Sequence, residues 1–128
     1  WWLTRAAWPQ LVAHGEGRIQ VLVSMSGKRS KGRLAAYSAS KFALLGLCQT
    51  MRNEGWAAGI RVTAICPGWV NTDMAAAVRS GPSDRWPTQS MDAEAMTQPE
   101  DIASMSAELL RLPNRAVPFE LAVSSSLE

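Results

Sequence analysis

Histidine is almost missing from this sequence, and that scarcity removes two broad classes of chemistry. One histidine, His14, and two cysteines, Cys48 and Cys66, are all the chain holds. They are scattered and lack C-x-x-C spacing, so they supply no ligand set and no metal is expected. A serine hydrolase needs a histidine beside its nucleophile. His14 precedes the first expected strand and Ser24 follows it, which at about 3.3 Å per residue keeps them roughly 20 Å apart. The paired carboxylates of a glycosidase have only Asp92, Glu94, Glu100 and Asp101 to draw on. Solvation in a loop and the dipole of a helix start account for those four. Both cysteines fall in apolar runs and read as buried, reduced thiols of a cytoplasmic protein.

Charge of one sign is also lacking. Thirteen basic against eleven acidic residues leave a formal net charge of +2, which gives no reason to expect nucleic acid or an anionic membrane as partner. The one basic cluster, Lys28, Arg29, Lys31 and Arg33, is short and free of aromatics. It reads as a solvated loop, with contact to a cofactor phosphate as the alternative. No apolar run approaches the roughly 20 residues that cross a bilayer. Trp1-Trp2-Leu3 has neither the basic region nor the cleavage site of a signal peptide, nor an initiating Met. The expectation is a chain cut from something longer.

What is there is an ordinary soluble balance, with 47% hydrophobic and 19% charged residues, in a length that suits one domain. Apolar positions at helical spacing over 2–14 predict a helix, with a kink or break at Pro9, ended by His14-Gly15. Gly15-Glu16-Gly17 is a turn without the G-x-G-x-x-G continuation of a phosphate cradle. Residues 18–24 predict a strand covered on both faces, because Ile19, Val21, Leu22 and Val23 are nearly continuous. A helix is expected over about 36–55, a strand over 60–66 closed by Pro67-Gly68, and a long irregular segment over 71–98. Pro99 opens a last helix to about Leu112, and 117–123 is a final strand. Strands alternating with helices imply an α/β fold with a parallel sheet of about three strands.

In such a sheet, ligands collect outside the carboxyl ends of the strands. Ser24 ends the first expected strand. Tyr37 and Lys41 stand four residues apart, on one face of the next helix. A tyrosine ordinarily titrates near 10, too high for a base at neutral pH, and a neighbouring ammonium or a helix N-terminus favours its phenolate. Tyr37 then suits proton exchange with an alcohol or carbonyl oxygen that Ser24 holds in place. Taken singly, each has a plainer reading: a half-buried helix tyrosine, a surface lysine and a loop cap. Ser26 is a weaker rival for the serine role.

Ser24-Met-Ser-Gly27 followed by Tyr37-Ser-Ala-Ser-Lys41 resembles the serine and Y-x-A-S-K signature of the short-chain dehydrogenase/reductase family. Arg61-Val-Thr-Ala-Ile-Cys-Pro-Gly-Trp-Val-Asn-Thr72 is similar to that family's P-G-x-V-x-T strand end, and Gln98-Pro-Glu-Asp-Ile102 to the start of its penultimate helix. The resemblance spans essentially the whole chain. It implies residues 1–128 as the C-terminal half of one Rossmann-type domain, with 71–98 as a substrate lid. It further implies NAD or NADP as cofactor and interconversion of a small-molecule alcohol and carbonyl by hydride transfer. Tyr37 would be the acid/base, Lys41 would bind the nicotinamide ribose and tune Tyr37, and Ser24 would position the substrate. Pro67, Gly68, Val70 and Thr72 would shape the nicotinamide site, and the full-length protein would be a homodimer or homotetramer.

The family's glycine-rich first βαβ unit, its N-N-A-G stretch and its relay asparagine are not in the sequence. The strand near 19–23, central in the family, would then be an apolar edge prone to aggregation. The isolated chain is expected to bind nicotinamide weakly or not at all; calorimetry giving micromolar binding by these residues alone overturns that. Two other readings stand beside the enzyme: a catalytically inactive remnant that acts as an oligomerisation or interaction module, and an epimerase or dehalogenase cousin. Trp69, Met74, Trp86 and Met91 in the lid read either as lining for an apolar substrate or as packing of the lid on the body.

Overall fold

The structure, a computed structural model, describes residues 1–81 and 92–125. Trp86 and Met91 lie outside the described residues. The order is helix α1 (Trp2–His14), strand β1 (Gly17–Leu22), a 3-10 turn (Met25–Gly27), helix α2 (Ala35–Gly55) and strand β2 (Ile60–Pro67). Helix α3 (Asp73–Arg79), helix α4 (Pro99–Arg111) and strand β3 (Glu120–Val123) follow. The three strands form one parallel sheet in the order β1-β2-β3, with Gly17 opposite Ile60 and Ile65 opposite Leu121. The expected α/β parallel sheet is therefore the architecture of the chain.

β2 is central, and its period of two sorts the core into two halves. Ile60, Val62, Ala64 and Cys66 join Val23, Cys48 and Met51 in one cluster, with α1 and α2 covering it. Ile65 joins Ile102 and Leu109 of α4 in the other. Thr63 shares that second face and stays buried because its hydroxyl donates to the Pro118 carbonyl at 2.7 Å. α4 presents Ile102, Met105 and Leu109 at helical spacing to the sheet. It starts on a capping box: the Gln98 amide nitrogen donates to the Asp101 carboxylate at 2.8 Å.

Several expected boundaries shift for physical reasons. β1 ends at Leu22, so Ser24 lies beyond it, although the Val23 amide still donates to the Ile65 carbonyl at 2.7 Å. α1 is not broken at Pro9; the helix is continuous from Trp2 to His14. β3 begins at Glu120 instead of 117, after Pro118, which has no N–H for the ladder. The segment 71–98, expected to be irregular, contains α3. There Thr72 accepts from the Ala75 amide as N-cap, ahead of a run of alanines, the best helix formers. Among the described residues, no helix is long and apolar enough to cross a membrane.

Cys48 and Cys66 are free thiols with no solvent exposure. Burial pushes the Cys48 thiol up to about 11 and raises Cys66 as well. The folded chain thus holds the Cys48 proton more tightly than the unfolded chain does. The resulting stability is fully present below the ordinary 9.0 and lost as pH climbs toward about 11. A direct check is labelling with Ellman's reagent at pH 8. Fewer than about one thiol in ten reacts in the native chain, and both react once guanidinium unfolds it. Rapid native labelling would show the core to be open.

Candidate active site

One cavity of about 510 Å³ opens at the carboxyl ends of β1 and β2, and its wall holds Ser24, Tyr37, Lys41, Pro67, Gly68, Val70 and Thr72. All seven residues singled out in the sequence thus meet at one place. They arrive from three separate stretches of chain, brought together by the parallel pairing of β1 with β2 and the return of α2 between them.

Tyr37 occupies the first turn of α2 and is exposed, at 38%, on the cavity wall. Lys41 follows one turn later, its ammonium 5.6 Å from the Tyr37 ring centroid. The ammonium donates to the Leu22 carbonyl at 3.3 Å, which fastens it to the end of β1. An ammonium has three donors, so this bond leaves capacity for a ligand. Ser24 caps the 3-10 turn, its hydroxyl accepting from the Ser26 amide at 3.0 Å. With a lone pair so engaged, the hydroxyl keeps its own proton to donate. The cap and the cavity-lining position coexist in one side chain. Ser26 also reaches the cavity wall.

The turn that carries Ser24 is pressed against the helix that carries Lys41. A Cβ on the buried Gly27 would stand 2.8 Å from the Lys41 carbonyl oxygen and 2.8 Å from Val23 Cγ1. Only glycine permits that approach, so the spacing between the two catalytic candidates depends on it.

Beyond β2, the chain is pinned to the start of α4. Val70 bridges Thr97, the Asn71 amide donates to the Thr97 carbonyl at 2.9 Å, and the Asn71 side chain donates to Gln98 Oε1 at 3.0 Å. The segment 71–98 therefore leaves and rejoins the body side by side. Trp69 and Met74 line the cavity, and Met74 is 70% exposed, which excludes core packing for that residue.

The loop between β1 and α2 reads in the sequence as solvated, with contact to a cofactor phosphate as the alternative, and its place on the cavity wall was not expected. Arg29 and Lys31, read as part of a solvated loop, lie on the cavity wall along with Met25 and Leu34. The loop is anchored: Lys28 forms an ion pair with Glu120, and Ser30 Oγ donates to the buried Ser38 Oγ at 3.1 Å. The hydrogen bond to Glu120 raises Lys28 above its ordinary 10.5. The signal was Ser38 itself, a polar residue on the apolar side of α2 that needed a partner.

Residues 1–83 match the family model for short chain dehydrogenase. Agropine synthesis reductase of Rhizobium rhizogenes is 38% identical over 114 residues, which is 89% of this chain and 24% of that protein. Oxidoreductase UcpA of Escherichia coli (strain K12) is 32% identical over 124 residues, or 94% of this chain and 42% of that one. Among solved structures, a variant of actinorhodin polyketide ketoreductase with NADPH has a TM-score of 0.75 at 33% identity, covering 91% of this chain and 49% of the other. 4-Hydroxyisoleucine dehydrogenase complexed with NADH has a TM-score of 0.74 at 27% identity, covering 96% and 52%. The chain spans about half the length of those solved structures, and less than half of the two curated relatives. With the family model over 1–83, and the same fold carried through α4 and β3, this chain belongs to the short-chain dehydrogenase/reductase family.

Proposed function

We propose that this chain forms the catalytic half of a nicotinamide-dependent oxidoreductase that interconverts an alcohol and a carbonyl, with Tyr37 as the general acid and base. The observation that carries the reading is the meeting of Tyr37, Lys41 and Ser24 on one cavity with the strand end Pro67–Thr72. Solved relatives holding NADH and NADPH support a nicotinamide cofactor, NAD or NADP.

The residues present suit the nicotinamide end of such a cofactor. A flat ring with a carboxamide needs an apolar wall and a few polar contacts. Pro67, Gly68 and Val70 supply the wall, Thr72 a hydroxyl and Lys41 an ammonium for a ribose oxygen. When bound, the nicotinamide supplies or accepts the hydride. In the reducing direction, Tyr37 hands its phenolic proton to the substrate oxygen, and in the oxidising direction it takes that proton back. Ser24 donates its remaining O–H to the same oxygen. The Lys41 ammonium, close to the Tyr37 ring, favours the negative charge left on the phenol oxygen at the moment of transfer.

The test supplies a glycine-rich βαβ half, fused ahead of Trp1 or added as a separate polypeptide, and follows loss of reduced nicotinamide with a panel of ketones. Turnover is expected, with Lys41→Ala raising the nicotinamide Kd about tenfold or more. Nicotinamide affinity indifferent to Lys41 would sink the assignment. A second reading has its own observation: α1 packs Trp8 and Leu11 on the core but leaves Trp2 and Leu3 75% and 84% exposed. Such a face suits a second copy of the chain. Self-association without any turnover would favour the interaction module over the enzyme.

A further inference from the structure

Past the end of β2, Val70 and Thr72 stand on the cavity wall, while Asn71 between them does not line it. The chain is extended here, with Val70 bridged to Thr97 and Thr72 at φ -137°, so successive side chains point to opposite sides. Asn71 faces Gln98, its side-chain amide donating to Gln98 Oε1 at 3.0 Å. We propose that Asn71 is a positioning residue: its hold on Gln98 sets where Val70 and Thr72 stand and so, given the oxidoreductase reading of that wall, sets the affinity for nicotinamide.

The direction of that hydrogen bond is dictated by its surroundings. Gln98 Nε2 lies 3.0 Å from the Ala93 carbonyl oxygen and 3.0 Å from that of Met96, and both oxygens can only accept. With its two N–H groups so engaged, Gln98 turns Oε1 toward Asn71, and the partner there must be a donor. The Asn71 amide is one. A carboxylate of the same shape would set acceptor against acceptor. Gln98 is itself held at the start of α4, where its backbone amide donates to the Asp101 carboxylate at 2.8 Å. Backbone bonds from Asn71 to the Thr97 carbonyl at 2.9 Å and from Thr97 to the Trp69 carbonyl at 3.3 Å pair the two stretches. The side-chain bond carries the pairing one residue further, to the threshold of Thr72. Thr72 also accepts from the Ala75 amide at 3.4 Å, so a shift at Asn71 moves the wall and the start of α3 together.

The test measures nicotinamide Kd, and KM and kcat with a ketone, for Asn71→Asp and Asn71→Ala in the protein completed with its glycine-rich half. Asn71→Asp is expected to weaken nicotinamide binding about tenfold and Asn71→Ala about threefold. The ketone KM, and kcat at saturating nicotinamide, should stay within about twofold, because Tyr37, Ser24 and Lys41 stand on other stretches of chain. Space-filling alone predicts the reverse order, since the aspartate keeps the shape of asparagine and the alanine leaves a void. A double-mutant cycle decides the matter even where Asn71→Asp fails to fold. In a Gln98→Ala background, Asn71→Ala should weaken binding no further, because the bond is already gone. Fully additive losses, a milder effect of Asn71→Asp than of Asn71→Ala, or unchanged nicotinamide affinity in both variants overturns the role. An unaltered completed protein that neither binds nor turns over nicotinamide removes the oxidoreductase reading, and this role with it. Binding and turnover in the unaltered protein beside indifferent variants removes the role alone.

Discussion

Replacing Tyr37 by Phe lowers kcat about a thousandfold in the completed protein, the middle of the range for losing a positioned general acid. The substitution removes one oxygen and leaves the ring, so packing in the first turn of α2 is kept. With the ring 38% exposed, the lost hydroxyl strands no buried partner, and the melting temperature is expected to stay within about 2 °C. KM should change little, because the hydroxyl contributes mainly as the proton moves. Ser24→Ala makes a useful contrast. It removes a donor to the same oxygen, worth about a hundredfold in kcat. It also frees the Ser26 amide that Ser24 caps at 3.0 Å, so some loss of stability accompanies it. Steady-state kinetics with thermal melts on both variants separate the roles. A Tyr37→Phe variant with near-normal kcat would show that the proton travels by another route.

The parts of this fold legible in the sequence are those where one physical signal dominates. β2 alternates between two buried faces, yet its apolar run is bounded by Gly59 and Pro67, so its limits are plain. α4 carries its own start signal in Gln98-Pro99 and its apolar stripe in Ile102, Met105 and Leu109. α3 was hidden because seven residues give a periodicity argument too little to work with, and the nearby Gly81 and Pro82 argue for a loop. The cap at Thr72 was the available clue, and it had already been given to the nicotinamide site.

For the site, the family signature named the residues but not their supports. Ser24 could be placed near Tyr37 from the motif. That Gly27 sets the approach of the Ser24 turn to Lys41 could not, because a contact between Gly27 and the Lys41 backbone joins residues fourteen apart through tertiary packing. Lys31 shows the same limit. Composition sees a charge in a polar loop, and only the tether between Ser30 and Ser38 and the pairing of Lys28 with Glu120 turn that loop toward the cavity.

The largest loss of stability is expected from Gly59→Ala, at the opposite end of the sheet from the cavity. Gly15, the cap of α1, and Gly59, which leads into β2, both have φ 74°. An alanine at either pays for a left-handed backbone, about 1 kcal/mol. Their surroundings differ. A Cβ on Gly15 meets nothing within 4 Å, whereas one on Gly59 would lie 2.1 Å from the Gly15 carbonyl oxygen. That oxygen belongs to backbone and cannot swing aside like a side chain. The corner between α1 and β2 must open, adding about 2 kcal/mol of overpacking strain. At about 4 °C per kcal/mol for a chain of this size, Gly15→Ala lowers the melting temperature by about 4 °C and Gly59→Ala by about 12 °C. The pair is its own control, since the shared backbone cost cancels and the difference reports the contact alone. The corner holds the pairing of Gly17 with Ile60, where β1 and β2 begin, while the cavity sits where they end. Ligand affinity per folded molecule should therefore survive in Gly59→Ala at low temperature. Equal melting temperatures for the two variants would mean that α1 does not close on β2 as tightly as the 2.1 Å approach requires.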